Sequence, residues 1–98
     1  AVVLAATGAR AAAVTHRVTI RRFRFEPATL QVRPGDRGQW INRDLAPHTA
    51  TALSGTWETG ALGHGATGEV LFEAPGRQSY ACAFHPHMKG EVTVGAAG

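Results

Sequence analysis

A chain of 98 residues with 44% hydrophobic and 17% charged side chains has the composition of one globular domain, which excludes an intrinsically disordered chain. Its formal charge of +3 leaves a mildly basic surface, but no recognition-helix pattern or basic stretch interleaved with aromatics accompanies it, so nucleic acid is not an expected partner. The single cysteine excludes an internal disulfide, and no stretch approaches the ~20 apolar residues of a membrane span.

Residues 1–13 begin with Ala1-Val2-Val3-Leu4-Ala5-Ala6, small and apolar, and Ala9-Arg10-Ala11 followed by Ala12-Ala13 has the A-x-A form of a cleavage site. This segment reads as the remnant of a secretory signal peptide, with an extra N-terminal edge strand at Val2–Ala6 as the alternative. Residues 14–98 are expected to form the working domain. From Val14 the chain alternates strictly, with Val14, His16, Val18 and Ile20 on one face and Thr15, Arg17, Thr19 and Arg21 on the other, which predicts a half-buried strand. The apolar phase then moves by one residue to Phe23 and Phe25, a slip that a β-bulge at Arg21-Arg22 would explain. Leu30 and Val32 carry a second strand closed by the turn Arg33-Pro34-Gly35-Asp36. A third covers Gln39–Asn42, with Trp40 as the expected centre of the core.

The loop Arg43–Pro47 delivers His48 to the head of a strand at Thr49–Leu53. A Gly- and Thr-rich middle follows, without a clear period. Glu69–Phe72, Arg77–Ala83 and Glu91–Val94 then read as strands, the second carrying Tyr80 and Cys82 on one face. Seven to eight short strands between Gly/Pro turns, with no helical period, predict an all-β fold, an antiparallel Greek-key sandwich or barrel.

Chemistry concentrates in Tyr80–Gly90, which holds the only cysteine, the only methionine and two of the five histidines. Cys82, His85 and Met88 follow one another as C-x2-H-x2-M. A thiolate, an imidazole and a thioether form a soft ligand set, and a His2Cys site with a weak axial Met is the arrangement of a blue-copper electron-transfer centre. His48 is the best candidate for the second imidazole. His85 and His87 flank Pro86 and compete for one ligand position; if His85 faces the metal with Met88, His87 faces solvent. His16 and His64 are read as having no metal role. Duller readings exist for each residue: a lone Cys82 packs as a small hydrophobe, and Met88 fills a core. A Cys82–His48 nucleophilic pair lacks an oxyanion motif. Zinc could use Cys82, His48 and one loop histidine, but structural zinc recruits more cysteines and leaves Met88 without a purpose.

Phe25-Glu26-Pro27-Ala28, Val32-Arg33-Pro34-Gly35-Asp36, Trp40-Ile41-Asn42-Arg43-Asp44, Pro47-His48, Ala74-Pro75-Gly76 and the Tyr80–Gly90 loop together resemble the cupredoxins, most of all the amicyanin-like and plastocyanin-like branch. The resemblance spans about Val14 to Val94. It implies one copper ion held by His48, Cys82, His85 and Met88. It also implies a periplasmic or otherwise exported monomer that shuttles single electrons and is not an enzyme, docking transiently with a dehydrogenase, cytochrome or oxidase. Copper storage or delivery with the same ligands is the alternative. Two positions depart from the family pattern. Thr49 stands where an asparagine usually ties the ligand loops, and its hydroxyl could do part of that work. Phe84 stands where amicyanins carry proline, so its N–H could donate a second hydrogen bond to the Cys82 sulfur. Six of the nine arginines fall between Arg17 and Arg37. A solvated strand face is the ordinary reading of that run, and a docking surface for an acidic redox partner the sharper one.

Overall fold

The computed structural model describes residues 12–96. The alternative edge strand at Val2–Ala6 lies outside the described residues, as do residues 1–11 of the signal remnant expected over 1–13. Within them, alternation of apolar and polar side chains produces eight strands: β1 (Thr15–Arg21), β2 (Arg24–Glu26), β3 (Thr29–Val32), β4 (Arg37–Asn42), β5 (Thr51–Ala52), β6 (Thr67–Leu71), β7 (Gly76–Ala81) and β8 (Lys89–Val94). They form two four-stranded sheets, ordered β2-β1-β4-β6 and β3-β8-β7-β5, so the all-β sandwich is what the chain builds. Not every pairing is antiparallel, however. The chain leaves the first sheet after β2, makes β3 in the second, and returns as β4 beside β1 in the same direction. β3 and β8 are likewise parallel. Alternation reports which face is buried and carries no direction, which is why the sequence pattern suggested a purely antiparallel sandwich.

The inward faces of the sheets meet in one core that includes Val18, Ile20, Phe25, Leu30, Val32, Trp40, Phe72, Tyr80, Val92 and Val94. Trp40 is fully buried at its centre, its ring 5.4 Å from Tyr80 and 6.4 Å from Phe72. Its Nε1–H donates to the Tyr80 hydroxyl at 3.3 Å, which satisfies the indole. Aromatic pairs of this kind add about 0.5–1.5 kcal/mol each beyond their burial. Burial pushes the Tyr80 hydroxyl up to about 12, so it stays neutral and available as that acceptor. Gly90 leaves room for the same ring: a Cβ there would collide with it.

Three local expectations are corrected. Val14 is 50% exposed and lies before β1, because the facing strand begins at Arg37 opposite Thr15. The phase slip near Arg21 is a two-residue hairpin rather than a bulge. Arg21 pairs with Arg24, and both turn residues have positive φ, 56° at Arg22 and 58° at Phe23. The strand expected at Thr49–Leu53 shrinks to Thr51–Ala52, since isolated bridges from His48 to Leu62 and from Thr51 to Glu58 occupy this stretch instead.

Candidate metal centre

Two loops at one end of the sandwich supply the site. β4 ends at Asn42, which is fully buried and spends its side chain on the loop that follows. Its Nδ2 donates to the carbonyls of Ala46 and Leu62, and its Oδ1 accepts from the Asp44 N–H at 2.9 Å. Two backbone bonds with Leu62, of 3.1 and 2.7 Å, then fix His48 from either side, and its residue is fully buried. The second loop ties itself. The Cys82 N–H donates to the Met88 carbonyl, the Met88 N–H to His85, and the His85 N–H to Cys82.

These constraints bring Cys82, His48 and His85 together. Cys82 Sγ lies 3.7 Å from His48 Nδ1 and 3.6 Å from His85 Nδ1, and all three donor atoms fall within 4.8 Å of one another. Metal–thiolate bonds of ~2.3 Å and metal–imidazole bonds of ~2.0 Å, opened by roughly 110–120°, span about 3.5–3.7 Å. The sulfur-to-nitrogen distances therefore fit a single ion between these atoms. Met88 is buried in the core cluster on the inner side of the same loop.

The surroundings prepare the donors. His48 Nε2 is 2.9 Å from Asp44 Oδ2, so a proton on Nε2 is held by the carboxylate and Nδ1 is left with its lone pair toward the sulfur. Asp44 also accepts the N–H groups of Arg22 and Phe23, at 2.8 and 2.9 Å. Burial would raise this carboxyl, but the two backbone donors and the His48 ring overcome it and hold its pKa below the ordinary aspartate value. The Phe23 ring stands edge-on to both histidines, 4.8 Å from His48 and 4.9 Å from His85. Thr49 contributes twice: its N–H donates to Cys82 Sγ at 3.3 Å, and its hydroxyl accepts the Ala83 N–H at 2.8 Å. The threonine thus ties the two ligand loops, as its hydroxyl chemistry suggested. The second donation expected from Phe84 is absent: among the described residues, Thr49 alone gives the sulfur a backbone hydrogen bond.

His87 is exposed, with its ring 6.3 Å from that of His85. His16 pairs with Asp36 and is separate from the cluster, and exposed His64 bonds the Asp44 carbonyl. Sequence reasoning missed Asp44 and Phe23. Asp44 sits four residues before His48, but in a loop that interval does not define a contact. Phe23 resembles a core residue until the hairpin carries it to the site.

Comparison with known proteins agrees with this geometry. The profile of the cupredoxin-like domain family matches residues 1–94. The chain is 33% identical to amicyanin-alpha of Methylorubrum extorquens over 82 residues, 79% of this chain and 69% of that protein. It is 34% identical to amicyanin of Paracoccus denitrificans over 86 residues, 79% of this chain but 63% of the relative, less than two thirds of its length. A purple cupredoxin from Nitrosopumilus maritimus superposes with a TM-score of 0.74 at 27% identity, covering 81% of this chain and 98% of that one.

Proposed function

The chain belongs to the cupredoxin-like family, and from that premise we propose that it is a one-electron carrier whose type 1 copper is held by His48, Cys82, His85 and Met88. The observation that carries this is the convergence of two imidazole Nδ1 atoms on one cysteine sulfur, each 3.6–3.7 Å from it. Bound copper would supply one-electron redox chemistry there. The chain's part is to keep the donors still. Asp44 fixes the His48 ring, Thr49 donates to the sulfur, and the hydrogen-bonded Cys82–Met88 loop holds His85, so either oxidation state meets the same geometry. Met88, buried at the end of the same loop, would supply a thioether as a further, weaker donor. A fully buried His48 locked by a carboxylate favours retention of the ion over the ready exchange that storage or delivery would need.

The half-buried His85 is the proposed exit for the electron, with exposed Phe84 and Phe23 beside it. Function as a monomeric carrier rather than an enzyme follows from the same reading, with a dehydrogenase, cytochrome or oxidase as partner and the periplasm or another exported compartment as its location. Among the described residues no helix is long and apolar enough to cross a membrane. Titrating the apo-protein with Cu(II) tests the reading. An intense blue band at one equivalent, bleached reversibly by reductant and lost in Cys82→Ser with the fold retained, is expected. Strong visible absorption surviving in Cys82→Ser would remove the thiolate from the site.

A further inference from the structure

The arginines are the sequence feature that the carrier reading leaves unused. Parallel pairing sends β1 and β4 out at the same end of the sheet, with Ile20 opposite Asn42. Arg43 donates its N–H to the Ile20 carbonyl, and Arg21 and Arg24 face one another across the hairpin. Exposed Arg21, Arg22, Arg24 and Arg43 are thereby rooted around Phe23, the ring that touches both candidate ligand histidines. Two carboxylates share this region and both are engaged: Glu26 pairs with Arg21 at 3.1 Å, and Asp44 holds the hairpin N–H groups and His48. Among the described residues Arg22, Arg24 and Arg43 form no ion pair. Beside them lie Phe23, Leu45 and Phe84, exposed by 41%, 86% and 51%. Arg33 and Arg37, members of the same arginine-rich half of the sequence, root at the far end of β4, about 17 Å of strand away.

We propose that this face docks the acidic surface of a larger redox protein. Its guanidinium groups meet carboxylates around the partner's electron-entry point while Phe23, Leu45 and Phe84 make the apolar contact. The proposal rests on the copper-carrier reading and adds the charge of the partner to it. Guanidinium groups suit this role because they pair with carboxylates in a fixed fork and remain charged at all relevant pH. With a Debye length of about 10 Å at 0.1 M salt, only charges rooted at this end act on a partner docked there.

Hexacyanoferrate(III), an anion, and tris(phenanthroline)cobalt(III), a cation, each take one electron from the Cu(I) protein and serve as charge probes. Raising salt from about 10 mM to about 0.5 M should slow the first reaction and speed the second. At about 0.1 M salt, where the Debye length is about 10 Å, Arg24→Glu/Arg43→Glu should cut the hexacyanoferrate rate about tenfold with the visible spectrum unchanged. Arg33→Glu/Arg37→Glu, an equal charge change at the other end, should cut it less than about twofold. Equal losses in the two double variants would overturn the proposal, since net charge alone would then explain the rates. The apo-protein is also titrated with cytochrome b5, an acidic haem protein, and followed by amide shifts. Shifts confined to Arg21–Arg24, Arg43–Leu45 and the loop around Phe84, and lost in Arg24→Glu/Arg43→Glu, support the docking face. Equal shifts with duplex DNA or phosphatidylglycerol vesicles overturn the choice of an acidic protein. Localised shifts in a protein that never turns blue would sink the carrier reading alone. A blue protein without them would sink the docking face alone.

Discussion

Asp44 joins two segments of the site through one carboxylate. It orients the buried ring of His48 and anchors the hairpin tip that carries Phe23. Asp44→Asn keeps the shape but weakens acceptance from His48 Nε2, so the ring can take the other tautomer or turn. Copper affinity measured by chelator competition is expected to fall tenfold to hundredfold, the usual consequence of losing a partner that orients a ligand. The loop histidines separate at the same scale. His85→Gly should open a position that added imidazole refills, restoring the blue band, whereas His87→Gly should leave the spectrum unchanged, because the ring nitrogen 3.6 Å from the sulfur belongs to His85 and His87 is exposed. The reverse pattern would assign the ligand to His87.

At the scale of an element, the β1–β2 hairpin is built against local preference. A two-residue turn with both φ values positive is ordinarily made by Asn-Gly, yet here it is Arg22-Phe23. Each side chain in that region costs on the order of 1 kcal/mol. Asp44 offsets the cost by accepting both turn N–H groups, and the result places an aromatic edge on both histidine rings. Replacing the pair with Asn-Gly should relax the turn while removing that contact. The urea midpoint of the apo-protein is expected to hold or rise, while loss of copper to a chelator accelerates. A midpoint that falls with no change in copper loss would show that Phe23 serves only the fold.

Across the whole molecule, closure of the sandwich depends on contacts between distant segments. At the end opposite the site, buried Asp36 joins the head of β1 to the β3–β4 turn. It accepts the N–H groups of Val14 and Arg33 and pairs with His16 at 2.9 Å. His16, together with those backbone donors and against the cost of burial, lowers its pKa from 3.8 to about 2. A carboxyl lowered on folding stabilises the protein above its unfolded pKa, and that contribution is lost as pH falls from about 4 toward 2. Asp36→Asn should cost on the order of 1–2 kcal/mol at pH 7 and flatten the acid limb of the urea midpoint plotted against pH. An acid limb identical in the variant would assign the loss to other carboxylates. In the second sheet, Gly90→Ala forces a Cβ into the Tyr80 ring beside Trp40 and should destabilise by about 1–3 kcal/mol, read as a lower melting temperature of the apo-protein.

Local covalent spacing was enough for several of these features. Period-two alternation around Val18 and Ile20, Trp40 in an apolar strand and the Gly/Pro turns made the all-β sandwich legible, because side-chain direction along a strand repeats every two residues. The donors of Cys82–Met88 lie within one short loop, so their chemistry could be read without a fold. His48 was identifiable as a soft-site partner by residue type, though its distance from Cys82 was not. What no window of sequence contains is the pairing of segments about twenty residues apart. The parallel register of β1 with β4 sets Arg43 beside the hairpin, turns Phe23 from an apparent core residue into a cover for two imidazoles, and brings Asp44 under both. Strand direction and loop packing are decided by the global closure of two sheets over one core, and only the tertiary structure expresses that balance.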